Sequence, residues 1–348
     1  MTGNGAPPLD EDTIHKTVHA YYACGKKKLK AAKMLGITRS AVQHRLRSPL
    51  AQEIMRENDI VSPEPLPPED IATNKIIDFM CDRFSQRKKY DDAAKWRRFL
   101  VDSNQPIGIC WFGDPHLDDN GCNWPALKKD CSIVAKTPGM YGANIGDTTN
   151  NWAGRLARLY ADQDASKDTA YKLAEWFFKE SGIRWMIMLL GNHDTNSDDG
   201  ARLLKEFCKN LCPMENWRAQ FKLVFPNKRE CLIDAAHDHK GHSQWNQLHG
   251  QQRASSMGGI AHLYIAGHRH NWAMAKHECS ESGRVYWLAR ARGYKFLDNY
   301  AKVNGFGEQQ CGSSIVSIIN PAASDLNMVQ CFADVEHAAD YLTYLRKK

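Results

Sequence analysis

The chain has 348 residues, 43% of them hydrophobic and 25% charged, enough for a large core with an appendage, and no stretch approaches the roughly eighteen consecutive apolar residues of a membrane span. Its net charge of +6 is concentrated in the head, since residues 1–50 hold nine Lys or Arg against three acidic side chains; that segment suits a polyanion, while the remainder is close to neutral. Eleven scattered cysteines without a CxxC pair argue against a disulfide framework or a zinc ribbon, and the N-terminus shows no basic or apolar leader, so the expectation is a cytoplasmic protein with reduced thiols.

In chain order, residues 26–47, KKKLKAAKMLGITRSAVQHRLR, come first. Leu29, Ala32 and Leu35, then Ile37, Ala41, Val42 and Leu46, form two short helical stripes broken at Gly36, the grammar of a helix-turn-helix. Thr38 is placed to cap the second helix, whose outward face carries Arg39, Ser40, Gln43, His44 and Arg47. Those side chains can reach base edges, whereas Lys26, Lys27, Lys28 and Lys30 suit phosphates, so DNA is the expected partner. One such unit binds weakly, and a homodimer or a further DNA contact in the same chain is expected to supplement it. Through AAKMLGI the segment resembles the helix-turn-helix of phage and transposon DNA-binding proteins. The head is assigned to residues 1–60.

SPEPLPPED, residues 62–70, reads as a stiff spacer at a domain boundary. Ile76, Ile77, Met80, Phe84, Trp96 and Leu100 then suggest a helix packed on the following domain, with RKKY as a solvated face, and residues 61–105 are taken as linker and connecting helix.

From residue 106 to 348 the expected architecture is an α/β sandwich. The runs IGICWF, YGANI, IRWMIMLL, CLIDAA, HLYIA, RVYWLA and SSIVSII read as strands buried on both faces, alternating with helical stretches. The first five end in GDPH, GDTTNN, GNHD, HDHKGH and GHRH. In α/β folds the loops leaving the carboxyl ends of strands converge on one crevice, so donors scattered along the chain can meet. Carboxylate, imidazole and amide oxygen without thiolate suit Mn, Fe or Zn. A pair of such ions generates hydroxide near neutral pH and clamps phosphate oxygens, which points to phosphoester hydrolysis. Cys208 and Cys212 lack partners for a zinc site and read as buried thiols, and DVEHAADYLTYLRKK reads as an amphipathic helix on the core.

The order DxH, GD, GNHD, H and GHxH resembles the calcineurin-like metallophosphoesterase superfamily over residues 107 to about 320. The resemblance implies a phosphoesterase β-sandwich flanked by helices. It also implies a first metal on Asp114, His116 and His270, a bridging Asp147, and a second metal on Asn192, His268 and one histidine of HDHKGH. His237 is chosen because it directly follows the strand, with His239 and His242 open. By the same resemblance His193 is the proton donor to the leaving alkoxide and Asp194 orients it. GDTTNNW lacks the arginine that follows GD in protein phosphatases, so the phosphoprotein branch loses support. Asn150, Asn151 and Trp152 are left as either substrate-cleft lining or a packed loop. The leading expectation is a DNA phosphodiesterase similar to SbcD-type repair nucleases, of a kind common on phage genomes, needing two divalent ions, manganese first. The alternatives are a small-molecule phosphoesterase acting on nucleotides and a DNA-binding regulatory or packaging factor.

Overall fold

The computed structural model describes residues 9–58, 72–296 and 310–348. Its first helix, α1 (Glu11–Ala23), starts where the Asp10 carboxylate accepts the Thr13 amide at 2.8 Å. The second, α2 (Lys28–Leu35), stops at Gly36, whose φ of 65° is a left-handed conformation that glycine adopts without a Cβ penalty. Thr38 then accepts the Ala41 amide at 3.1 Å and opens α3 (Arg39–Arg45), and α4 (Pro49–Asn58) closes the head. Its core is Ile14, Val18, Ala31, Ala32, Val42 and Leu46. The expected stripe through Leu29 is corrected here: Leu29 is 59% exposed and Ala31 takes its place, because two adjacent alanines let α1 and α2 approach closely. Arg39, Ser40, His44 and Arg47 are exposed and Gln43 is half-buried. Lys26, Lys27 and Lys30 are exposed, Lys28 is half-buried, and the Lys26 ammonium lies 5.0 Å from the Tyr22 ring centre.

The proline-rich residues 62–70 lie outside the described residues. In the helix α5 (Thr73–Ala94), the expected apolar residues Ile76, Ile77, Met80 and Phe84 are all exposed. Helical spacing tells which residues share a face, not whether anything covers it. Residues 97–100 are not helical either: β1 (Arg97–Leu100) pairs in parallel with β6 (Arg218–Val224), so the strands of the second unit begin well before residue 106. By its internal contacts the chain divides into Met1–Arg87 and Lys88–Lys348.

The second unit is mixed α/β. Its remaining strands are β2 (Ile107–Phe112), β3 (Met140–Asn144), β4 (Trp185–Leu190), β5 (Met214–Asn216), β7 (Glu230–Ala236), β8 (Leu263–Ala266), β9 (Ala273–Glu278), β10 (Val285–Arg290), β11 (Ser314–Ile319) and β12 (Val329–Phe332). They form two six-stranded sheets, ordered β1-β6-β7-β8-β10-β9 and β12-β11-β2-β3-β4-β5. Alternate residues of both sheets share one core, including Ile109, Trp111, Ile187, Phe221, Ile233, Ile265 and Ile315. The opposite face of the second sheet, with Cys110, Phe112, Met188 and Ile318, is covered by α6 (Trp124–Lys136), α7 (Lys167–Glu175), α9 (Asp198–Cys208) and α11 (Val335–Lys347). The last of these buries Val335, Ala338 and Leu342, so the C-terminal segment packs on the core as its amphipathic pattern indicates. Cys208 is buried and Cys212 is half-buried. Among the described residues, no helix is long and apolar enough to cross a membrane.

Candidate metal centre

Strands β2, β3 and β4 are parallel neighbours, and β7 and β8 are a parallel pair in the other sheet. Their carboxyl ends therefore release the GDPH, GDTTNN, GNHD, HDHKGH and GHRH loops toward a common place. Backbone hydrogen bonds then tie loop to loop. The amides of Asp114, His116 and Leu117 donate to the carbonyls of Gly146, Asp147 and Thr148 at 3.2, 3.1 and 3.0 Å. The His193 amide donates to Asp147 Oδ1 at 2.9 Å, and the His268 amide to Asp114 Oδ2 at 2.6 Å.

Three glycines make this approach possible. A Cβ on Gly146 would lie 2.5 Å from His237 Nδ1, one on Gly191 would lie 2.1 Å from Asp147 Oδ1, and one on Gly267 would lie 2.3 Å from Asp114 Oδ2. The space a methyl group would fill is occupied by the side chains expected to bind metal. The backbone is also strained: Asp114, His116, Asp147, His268 and His270 have φ of 44°, 43°, 54°, 68° and 49°, the left-handed region that non-glycine residues avoid. Each such residue costs about 1–3 kcal/mol and persists only where its surroundings over-determine it, a pattern that clusters at functional sites.

Three overlapping groups have ligand atoms within 4.8 Å of one another: Asp114, Asp147, His237 and His268; Asp114, His116 and His270; and His116, Asp147 and His193. Asn192 joins them through Oδ1, 3.0 Å from His237 Nε2. The sequence-predicted ligands thus come together. Both carboxylates lie between groups, so Asp114 shares the connecting position expected of Asp147 alone. The choice among the three histidines of HDHKGH also resolves. His237 is in the cluster; His239 turns its Nε2 to Asp234, 3.3 Å away; and His242 is exposed.

Apart from the amides that steady Asp114 Oδ2 and Asp147 Oδ1, the candidate ligand atoms face one another. His237 Nδ1–H is used on the Ile145 carbonyl at 2.9 Å, which leaves Nε2 toward Asp147 Oδ2 at 3.2 Å, Asn192 Oδ1 at 3.0 Å and His268 Nδ1 at 3.0 Å. Likewise His116 Nδ1–H donates to Asn150 Oδ1 at 2.8 Å, and its buried Nε2 and the buried Asp114 Oδ1 find no hydrogen-bond partner among the described residues. Buried polar atoms ordinarily do find one. Orphans of this kind, with the second ring nitrogen already committed, fit a divalent cation.

Protonation follows the crowding. Burial pushes the Asp114 carboxyl up to about 8, aided by the Asp147 charge. Burial also opposes ionisation of Asp147, but the His237 charge and hydrogen bond outweigh it and hold that carboxyl well below the usual range. His237 is raised to about 10, since Asp147 overcomes the desolvation that would lower it. A cation bound here must displace the Asp114 and His237 protons, because ligands bind deprotonated. Metal affinity is therefore expected to climb as pH rises from 6 to 8, by up to about two log units per pH unit, easing once Asp114 ionises. Titration calorimetry in buffers of different ionisation enthalpy reads the released protons directly, and an affinity flat across that range would contradict the protonation pattern.

Two roles differ from expectation. Asp194 does not orient the His193 ring. Its carboxylate accepts the amides of Asp147, Thr148 and Gly191 at 2.7, 3.0 and 2.8 Å; as the third residue of the one-turn α8 (Asn192–Thr195) it points back to the Gly191 N–H, and from there it also reaches two amides of the loop after β3. The His193 ring is held instead through Nδ1–H by the Asn150 carbonyl. Asn150 and Asn151 are packing residues, Asn151 donating to the His193 carbonyl at 2.7 Å, and the Trp152 ring lies 5.0 Å from the His193 ring. Sequence reasoning did not single out Trp217, whose indole is 5.0 Å from the His237 ring and 6.2 Å from that of His268. Nor did it find Asp238, which receives Arg269 at 2.9 Å and Arg290 at 3.2 Å.

No family model and no curated protein matches the chain. Among solved structures it is similar to a protein of unknown function from Aquifex aeolicus, at 14% identity and a TM-score of 0.27, over 47% of this chain and 78% of that one. It is also similar to GAP50, the anchor in the inner membrane complex of Plasmodium, at 12% identity and a TM-score of 0.34, over 69% of this chain and 95% of that one.

Proposed function

We propose that the Lys88–Lys348 unit is a metal-dependent phosphodiesterase of the calcineurin-like metallophosphoesterase kind, with nucleic acid as substrate, and that the helical head adds affinity for DNA. The observation that carries this reading is the meeting of Asp114, His116, Asp147, His237, His268 and His270 in overlapping groups with ligand atoms within 4.8 Å. A donor set of nitrogen and oxygen without thiolate suits two divalent ions, with Mn first and Fe or Zn as substitutes. When bound, such a pair lowers the pKa of a shared water and neutralises charge on a phosphate. The chain's own residues do the rest. The loop-to-loop hydrogen bonds and left-handed backbones fix the ligand positions before substrate arrives, so little reorganisation is left to the reaction. His193, anchored through Nδ1–H to the Asn150 carbonyl, keeps its other nitrogen for giving a proton to the leaving alkoxide. In the head, the exposed Arg39, Ser40, His44 and Arg47 with half-buried Gln43 support a base-reading face, and Lys26, Lys27, Lys28 and Lys30 a phosphate-contacting flank. Tethering such a head raises the local substrate concentration.

Elemental analysis combined with a substrate panel tests this. The expected result is two divalent ions per chain and manganese-dependent cleavage of both bis(p-nitrophenyl) phosphate and DNA, with only DNA cleavage weakening as salt is added. Cleavage confined to nucleotides or cyclic nucleotides would move the assignment to a small-molecule phosphoesterase. A fully metal-loaded protein without turnover on any substrate would end the enzymatic reading.

A further inference from the structure

Trp217 is set beside the metal centre in a way that packing alone does not require. It is a bulky residue with a φ of 64°, in the left-handed region where such a side chain is an outlier. Its amide donates to the Leu190 carbonyl at 3.1 Å, its carbonyl accepts the His237 amide at 2.7 Å, and its indole N–H donates to the Asp238 carbonyl at 3.0 Å. Two backbone hydrogen bonds and one from the indole thus hold a residue that remains 39% exposed. The ring meets that of His237 at an interplanar angle of 77°, a T-shaped contact rather than a stack.

Two further features share the same anchor. Arg269, between His268 and His270, donates from Nε to Asp238 Oδ2 at 3.0 Å and keeps 38% of its side chain exposed. Asp238 also opens the loop that carries Trp245, whose side chain is 94% exposed. That loop is tied back through Arg290, which donates to the Gln247 carbonyl at 2.9 Å and to Asp238 at 3.2 Å. At this exposure the Trp245 ring has its faces open to a stacking partner. A guanidinium for phosphate and rigid indoles for bases is the combination by which proteins grip unpaired strands.

We propose that Trp217, Arg269 and Trp245 form a nucleobase-stacking track beside the His237 and His268 side of the centre, and that the substrate is a nucleic acid strand presented with unstacked bases. This rests on the phosphodiesterase reading and narrows its substrate. A duplex keeps its bases out of reach of an indole, whereas a single strand or a frayed end offers them.

The test uses the full chain and cleavage-resistant phosphorothioate strands, comparing by fluorescence anisotropy a base-bearing strand with an abasic strand of equal length and charge. The base-bearing strand is expected to bind about tenfold to a hundredfold tighter, the worth of a stacked base or two. Trp217→Ala is expected to erase most of that ratio and Trp217→Phe to keep it, while Trp245→Ala lowers it in part. A purely structural role for Trp217, such as buttressing His237, leaves the ratio of the two affinities unchanged even if both fall. Equal binding of the two strands by the unaltered protein, or an undiminished ratio in Trp217→Ala, overturns the proposal. Hydrolysis of bis(p-nitrophenyl) phosphate by the same preparation separates the two levels. If it proceeds while strand discrimination is missing, only the stacking track is lost; if it does not proceed, the phosphodiesterase reading is lost first.

Discussion

A Gly191→Ala variant is expected to lose most of its bound metal, and its turnover with it, while remaining folded. The added methyl group would sit 2.1 Å from Asp147 Oδ1 and 2.7 Å from His237 Cε1, distances at which something has to move. Gly191 itself has an ordinary φ of −92°, so alanine meets no backbone penalty there and the effect is steric. What yields is Asp147, which belongs to two of the three ligand groups, or the His193 amide it accepts. Overpacking of this kind costs about 1–3 kcal/mol, a shift of roughly 2–12 °C in melting temperature for a unit of this size. Elemental analysis with a thermal melt measures both, and a variant with a full metal complement and unaltered turnover would show that the glycine is not a spacer for the ligands.

His193→Asn is expected to retain metal and lose about 10²- to 10⁴-fold in turnover, the range for removing a positioned proton donor. The ring is anchored at one nitrogen by the Asn150 carbonyl and packed against Trp152 and His116, at ring separations of 5.0 and 4.9 Å. A ring held that way can pass a proton from its second nitrogen without losing its place. Because His193 also falls in a ligand group with His116 and Asp147, the metal content of the variant decides between roles. Retained metal with slow turnover marks a proton donor, and a lost ion marks a ligand. The loss of turnover should be smallest for substrates with a good leaving group, such as a nitrophenolate, which leaves without a proton.

Strands with apolar faces on both sides were legible as continuous runs, and so were the polar tips that end them. The four sheet edges were not. β1, with the sequence RRFL, has three exposed positions of four; β9, AMAKHE, has none buried; β12 alternates; and β5 is three residues long. An edge strand carries charge and half-exposed positions because it faces solvent, which is the opposite of the pattern that reveals a central strand. β6 escaped for a related reason, as it buries every second residue and reads as period two rather than as a run. The candidate ligands were readable because four of the five loops repeat one logic, in which a strand stops, a glycine makes room and a donor follows, while His237 directly follows Ala236. Asn150, Asp194 and Trp217 act through backbone groups of other loops, and no local spacing announces a carbonyl from a distant segment. In the same way, the apolar residues of α5 announced a helix but not its exposure, since covering a face depends on what else the chain brings to it.

The wiring of one loop's amides to the next loop's carbonyls has a consequence for how this protein tolerates change. The crevice behaves as a cast mould rather than a set of independent fingers, so a substitution in any one tip is felt by donors that are remote along the chain. Variation is then free to accumulate in the rim and in the head, where shape can drift without disturbing the cast.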